Sequence, residues 1–292
     1  MNPLPASRKG KTGMSSIEDL RTNIDRVDGE IIRLLNERAE LAQKIGEIKS
    51  REGLPAYAPE REEQVFRKLV ERSEGPLRPQ AIRAIYREIM SAALSLEKDL
   101  VIACLGEAGS PAHRAATAKF GSSVRYAFFT DTMDVFSEVE KDQADCGVVP
   151  IDDAAQGIAS PTLDQLAATE LSICAEIFLG SDEDGGDSDG RKSRFLVLGR
   201  QPNPPSSKDR TMLLLRIEDK PGALVSALEP FKELAINLSH FASRPASKGS
   251  KDIFFFVEAD GHIREMQLAD LFRELSKRCR AVKVLGSYPV VE

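Results

Sequence analysis

The feature that most constrains this chain is a regular apolar repeat near its start. Over positions 17–48 apolar residues recur at alternating steps of three and four, with one interruption. The positions are Ile17, Leu20, Ile24, Val27, Ile31, Leu34, Arg38, Leu41, Ile45 and Ile48. This spacing is typical of the seam of a long helix that packs against other helices. About 34 residues would form a rod about 50 Å long. Since such a rod is too long for a globule made by this segment alone, we expect two copies to wrap around each other.

The interruption of the repeat is itself informative. Arg38 occupies a seam position, and Arg21 and Lys49 flank the same seam. A buried arginine without an anion costs several kcal/mol, so a negative group should meet it. An internal salt bridge would satisfy Arg38 alone. Three cations on one helical edge suit a ligand with several carboxylates better.

Two further helices are predicted after this rod. One begins near Pro59 and carries Arg61 and Glu62 at the edge of its apolar stripe. The other begins near Pro79 and leaves Glu97 at the edge of an apolar face. Taken singly, residues such as Glu62 and Glu97 are more often solvated residues at helix edges.

Together, the three predicted helices resemble the all-helical chorismate mutases that are fused to prephenate dehydratase. The resemblance is carried by residues 20–21, 37–42, 45–49, 59–62 and 81–91. It implies an all-α domain over residues 15–98 that works as an intertwined dimer and converts chorismate to prephenate. It also implies a set of catalytic residues, namely Arg21, Arg38, Lys49, Arg61, Glu62 and Glu97.

The roles that the resemblance implies differ among these residues. The three arginines would hold the two substrate carboxylates, with one arginine reaching over from the partner subunit. Lys49 and Glu97 would hydrogen-bond the ether oxygen, and Glu62 would take the substrate hydroxyl. The Claisen rearrangement needs no nucleophile, metal or cofactor, only a compact substrate and a cation at the breaking bond. Because a carboxyl group donates a hydrogen bond only when protonated, mutase activity should fall as the pH rises.

The middle segment, residues 99–200, is predicted to alternate strands and helices, and it resembles the first lobe of prephenate dehydratase. Ser193, Arg194 and Phe195 resemble the Thr-Arg-Phe run of that family. However, Ser-Pro-Ala at 110–112 and Asp-Asp-Ala at 152–154 replace its Thr-Phe-Ser and Glu-Asn-Ser runs. An acidic, glycine-rich linker at 181–191 stands where the family has a second lobe. We therefore expect a truncated α/β scaffold with a vestigial dehydratase site; a functioning minimal dehydratase is the alternative.

The last segment, residues 210–292, follows a proline-rich linker at 201–209 and is predicted to form a ferredoxin-like βαββαβ domain. It resembles the ACT domain that closes prephenate dehydratases, through residues 221–224, 236–238, 243–245 and 284–289. The resemblance implies phenylalanine binding at a dimer interface. The residues concerned are Gly222, Ala223, Leu224, Asn237, Ser243, Arg244 and Pro245. A domain that only dimerises is the alternative.

Composition limits the other classes of function. The net charge is −6 and no basic face is sustained, which argues against nucleic-acid binding. The sequence has no run of 18 apolar residues, so no membrane-spanning helix is predicted. Residues 1–14 are predicted to be a disordered tail because they lack the apolar core of a signal peptide. Cysteines at 104, 146, 174 and 279 have no paired spacing, which favours core thiols in a cytoplasmic protein.

The sequence thus predicts a cytoplasmic homodimer or higher homo-oligomer that makes prephenate for phenylalanine biosynthesis, with phenylalanine as the effector. One alternative is a bifunctional enzyme that continues to phenylpyruvate. Another is a non-catalytic, amino-acid-sensing ACT protein. Against it argues the intact set of Arg21, Arg38, Lys49, Arg61 and Glu62.

Overall fold

The computed structural model describes residues 16–153, 157–158, 160–180, 192–246 and 250–290. The predicted tail at 1–14, the linker at 181–191 and Ala154 lie outside the described residues. Every helix in the described part of the chain is too short or too polar to span a lipid bilayer.

Three helices form the N-terminal segment: α1 (Ile17–Glu52), α2 (Pro59–Arg72) and α3 (Pro79–Glu97). Ser16 caps α1 in a reciprocal capping box with Asp19, and Gly53 ends the helix in the left-handed conformation at φ 66°. Prolines occupy the first turns of α2 and α3, as predicted, because their missing N–H is not needed there. The three helices that were predicted from the apolar spacing and from Pro59 and Pro79 are therefore confirmed.

The apolar seam of α1 is left uncovered within one chain. Its members from Ile17 to Ile48 are 41–71% exposed, apart from Arg38. One edge of the helix is nevertheless closely packed against α3 at Gly46. A Cβ atom placed on Gly46 would lie only 2.8 Å from the Cβ of Glu97. The glycine thus allows the two helices to approach and brings Glu97 next to α1.

The middle segment is an α/β layer built on one six-stranded sheet. Its elements are β1 (Val101–Leu105), α4 (Pro111–Phe120), β2 (Arg125–Phe129), α5 (Thr132–Glu140), β3 (Cys146–Asp153), β4 (Gly157–Ile158), α6 (Ser160–Ala168), β5 (Ser172–Leu179) and β6 (Ser193–Gly199). The sheet order is β2-β1-β3-β6-β5, with β4 paired to β3. Strands β1, β2 and β3 are parallel, whereas β6 runs antiparallel to both of its neighbours. Apolar side chains on both sheet faces form its core.

The C-terminal segment has the predicted βαββαβ order. Its elements are β7 (Asp209–Glu218), α7 (Ala223–Glu233), β8 (Leu238–Pro245), β9 (Asp252–Asp260), α8 (Met266–Arg278) and β10 (Ala281–Pro289). The antiparallel sheet has the order β10-β7-β9-β8. Strand β10 packs on β5 of the middle segment. At that contact a Cβ atom on Gly286 would lie 2.3 Å from the carbonyl oxygen of Ile173, so only glycine fits.

Candidate active site

Five of the six predicted catalytic residues line one cavity of about 650 Å³. They come from all three helices of the N-terminal segment. Helix α1 supplies Arg38 and Lys49, α2 supplies Arg61 and Glu62, and α3 supplies Glu97. The structure therefore brings together residues that are up to 59 positions apart in the sequence, from 38 to 97.

Arg21, the sixth predicted residue, lies outside this cavity. Its side chain is 68% exposed and its Nη1 atom is 3.5 Å from Glu18 Oε2. Arg21 and Arg38 are about 25 Å apart along α1 at 1.5 Å per residue. Within one chain, Arg21 is therefore too far away to contact a ligand beside Arg38.

Lys49 and Glu97 face each other in the cavity. Lys49 Nζ lies 3.3 Å from Glu97 Oε2 and donates a 2.8 Å hydrogen bond to the carbonyl oxygen of Ala56. The Glu97 side chain is only 9% exposed, since it packs over Gly46. This pair places one donor and one carboxyl group beside the same part of the cavity.

Glu62 is paired with a residue from another segment. Lys119 Nζ, at the end of α4, lies 3.3 Å from Glu62 Oε1. Burial raises the pKa of Glu62 above the usual 4.5, and the charge of Lys119 acts in the opposite direction. Sequence reasoning missed Lys119, because a single lysine near the end of an alanine-rich helix carries no signal of its own.

The cavity wall as a whole is largely apolar, and its charged side chains carry an excess of positive charge. Six cationic and three anionic side chains line it, and this net positive charge is suited to a small ligand with two carboxylates. The cations are Arg38, Lys49, Arg61, Arg87, Lys119 and Arg264, and the anions are Glu60, Glu62 and Glu97. The linker at 201–209 and the C-terminal segment also contribute, through Gln201, Pro202, Pro204 and Arg264.

Two buried polar atoms on the cavity wall have no hydrogen-bond partner among the described residues. They are the hydroxyl oxygen of Tyr57 and Oε2 of Glu60. Burial raises the pKa of the Tyr57 hydroxyl well above its ordinary value, so it stays protonated and can donate. Buried polar atoms are normally paired, so both atoms are suited to contact a bound molecule.

The three predicted vestigial dehydratase residues lie on β6 and are all buried. Arg194 contacts Glu258 Oε1 at 2.5 Å, Glu176 Oε2 at 2.7 Å and the Tyr288 hydroxyl at 3.2 Å. Glu176 belongs to the middle segment, whereas Glu258 and Tyr288 belong to the C-terminal one. Arg194 thus joins the two sheets, and its charge is balanced by the buried carboxylates of Glu176 and Glu258. Ser193 and Phe195 flank it in the same strand.

The predicted effector residues fall at two ends of the C-terminal sheet. Gly222 begins α7 at φ 82°, with Ala223 and Leu224 in the first turn. Ser243, Arg244 and Pro245 end β8 near the same end of the sheet, and Arg244 forms an ion pair with Asp164 of α6. Asn237 precedes β8 at the opposite end, where its Nδ2 donates to Asp260 Oδ2 at 3.0 Å. The fold therefore groups six of these seven residues and separates Asn237 from them.

Comparisons with known proteins match two of the three segments to families. The chorismate mutase type II family matches residues 20–98, and the prephenate dehydratase family matches residues 102–180. The bifunctional chorismate mutase/prephenate dehydratase of Aquifex aeolicus (strain VF5) is 34% identical, over 94% of this chain and 98% of the relative. The protein of the same name from Neisseria gonorrhoeae is 30% identical, over 92% and 96%.

A solved structure supports the fold of the second and third segments. The prephenate dehydratase from Streptococcus mutans is 28% identical with a TM-score of 0.55, and the match covers 66% of this chain and 100% of that one. The prephenate dehydratase from Arthrobacter aurescens, solved with L-Phe, shares the fold at 20% identity and a TM-score of 0.57, over 65% and 90%.

These matches correct the doubt about a dehydratase domain, because the family match runs through most of the middle segment. They also show a difference in length. The Aquifex alignment spans 356 positions, and 94% of 292 residues is about 274, so about 80 positions of the alignment have no residue here. With 34% identity over nearly the full length of both proteins, the chain belongs to the family of bifunctional chorismate mutase/prephenate dehydratases.

Proposed function

We propose that this protein is a chorismate mutase that rearranges chorismate to prephenate in the cavity between α1, α2 and α3. The observation that carries the proposal is the convergence of Arg38, Lys49, Arg61, Glu62 and Glu97 on one largely apolar cavity. Cations in an apolar cavity are costly unless an anion fills it, and the substrate carries two carboxylates.

The reaction needs the enolpyruvyl arm to be held over the ring. Arg38 and Arg61 bind carboxylates and fix the two ends of the substrate, which removes much of the entropic cost of reaching the compact conformer. Lys49 donates to the ether oxygen, on which negative charge grows as the C–O bond breaks. Glu62 accepts the hydrogen bond of the ring hydroxyl, and the carboxyl group of Glu97 hydrogen-bonds the ether oxygen beside Lys49.

The same proposal includes a homodimer formed through α1. The exposed seam of this helix supplies a long apolar surface for a second copy. An antiparallel second copy would also bring its Arg21 to the cavity that holds Arg38. This arrangement would give each cavity the third arginine that one chain cannot provide.

Prephenate dehydratase activity is the second candidate function. It is favoured by the family match over residues 102–180 and by the names of the full-length relatives. The chain would then convert prephenate to phenylpyruvate with the loss of water and carbon dioxide.

For the C-terminal segment we propose an ACT domain that binds phenylalanine as the effector. Its support is the βαββαβ order and the position of the turn at Gly222 beside the end of β8. The free N–H groups of the first turn of α7 are suited to a carboxylate. Differential scanning fluorimetry with phenylalanine and with alanine tests this, since only a specific ligand should raise the melting temperature.

One assay separates the candidate functions. The purified chain is incubated with chorismate while prephenate and phenylpyruvate are measured separately. We expect prephenate to form, and Arg38→Ala should abolish its formation while the exposed control Arg33→Ala, which is paired with Glu37 on the same helix, retains it. Phenylpyruvate above the acid-catalysed background would establish the dehydratase activity. If neither product formed, the mutase proposal would be wrong and the non-catalytic alternative would be favoured.

A further inference from the structure

Lys119 reaches the cavity from outside the three N-terminal helices. It lies in the last turn of α4, and its Nζ atom is the one hydrogen-bond donor to the Glu62 carboxylate among the described residues. Both side chains are largely buried, with 14% of Lys119 and 13% of Glu62 exposed. A contact between two buried charges has few competitors in solvent and holds both groups in place.

The end of α4 is firmly attached to α3. The Glu88 carboxylate accepts hydrogen bonds from the backbone N–H of Ser122 at 3.0 Å and from its hydroxyl at 2.7 Å. The Ser91 hydroxyl accepts a bond from the Ser123 N–H at 3.0 Å. Gly121 permits this approach, because a Cβ atom there would lie 2.6 Å from the Cβ of Ser91. These contacts fix the end of α4 relative to the mutase helices.

We propose that Lys119 is a positioning residue for the mutase reaction, which holds the Glu62 carboxylate oriented and charged to accept the hydrogen bond of the substrate hydroxyl. The inference rests on the mutase function proposed above. The ammonium group of Lys119 donates to Oε1 of Glu62. Oε2 of Glu62 receives no hydrogen bond from the described residues and stays available to the substrate. The α/β segment thereby contributes to a reaction that takes place among the N-terminal helices.

Other groups around Glu62 cannot replace Lys119. Arg83 on α3 is already paired with Glu63 at 3.2 and 3.4 Å, and Tyr57 on the preceding loop is a neutral hydroxyl. Burial raises the pKa of Glu62, and Lys119 makes the largest contribution that lowers it. Without Lys119, the pKa of Glu62 should rise further, and the carboxylate should lose its charge at a higher pH.

The test compares three variants of the full chain. In Lys119→Met, kcat/KM for chorismate should fall about tenfold, as expected for one charge-assisted hydrogen bond. The acid limb of the pH profile should also move to higher pH. Lys119→Arg should restore most of the rate and the original profile. Lys141→Met, which removes an exposed charge from the same segment, should behave as wild type.

A double-mutant cycle separates positioning from general damage to the fold. In a Glu62→Gln background the ammonium group has no carboxylate to hold, so adding Lys119→Met should change kcat/KM less than twofold. Equal losses in both backgrounds would overturn the proposal. A rise in KM alone with an unchanged pH profile would overturn it too, because Lys119 would then contact the substrate. Arg38→Ala tests the mutase function independently, so the proposal for Lys119 can fail while the mutase function stands.

Discussion

The positions of Arg21 and Arg38 lead to a prediction about mixed dimers. Both residues lie on α1, but only Arg38 lines the cavity. They are separated by about 25 Å along the helix, which is far beyond the reach of an arginine side chain. If two copies pair along the exposed seams, each cavity should combine Arg38 of one copy with Arg21 of the other.

Two single variants test this arrangement. Arg21→Ala and Arg38→Ala should each lower mutase activity about a hundredfold or more, since each removes a charge that contacts the substrate. When the two variants are unfolded, mixed and refolded, about half of the dimers should be mixed, and each mixed dimer has one complete site. The mixture should therefore regain about a quarter of the wild-type activity.

The assay follows the loss of chorismate absorbance before and after mixing. Arg26→Ala serves as the control for Arg21→Ala, because Arg26 is also an exposed cation of α1, paired with Glu30 at 2.6 Å. Its activity should match wild type. A mixture no more active than its two parents would rule out this shared site, and so would full activity of Arg21→Ala alone.

Three other results are expected. Glu97→Gln should retain mutase activity because the amide can donate to the ether oxygen, whereas Glu97→Ala should lose it; equal activities of the two variants would show that Glu97 makes no such hydrogen bond. Gly46→Ala should lower kcat/KM and destabilise the fold by about 1–3 kcal/mol through overpacking against Glu97, whereas Gly29→Ala, with open space around it, should stabilise α1 by up to about 1 kcal/mol in urea unfolding. Arg194→Met should lower the free energy of unfolding by about 3 kcal/mol at neutral pH. That loss should shrink as the pH falls, since burial already raises the pKa of Glu176 and the protonated form needs no counter-charge; an equal loss at all pH values would contradict this account.

Local signals in the sequence were sufficient for the elements and for most of the cavity. The 3–4 spacing of α1 and the prolines at 59 and 79 each act within one or two turns. Arg38 could be singled out because it interrupts an apolar seam. The family resemblance then supplied the companions of Arg38, and the fold groups all of them except Arg21.

Contacts between segments could not be predicted in this way. Lys119 meets Glu62 across 57 positions of sequence, and Arg194 meets Glu258 across 64. Neither residue stands out by spacing or by a neighbouring motif that would indicate its partner. For Arg194 the resemblance to a dehydratase motif pointed to a vestigial site, whereas the side chain joins two sheets through buried ion pairs.

Hydrogen bonds between segments also connect the C-terminal segment with the linker that lines the cavity. Arg264 lines the cavity, and two residues earlier the buried ring of His262 contacts the carbonyl oxygen of Asn203 at 3.1 Å. The Asn203 amide in turn donates to the carbonyl oxygens of Cys174 and Ser287, at 2.7 and 3.1 Å. A ligand of the C-terminal segment would affect the mutase through such contacts only if it bound two arrangements of them unequally, since equal binding shifts no equilibrium.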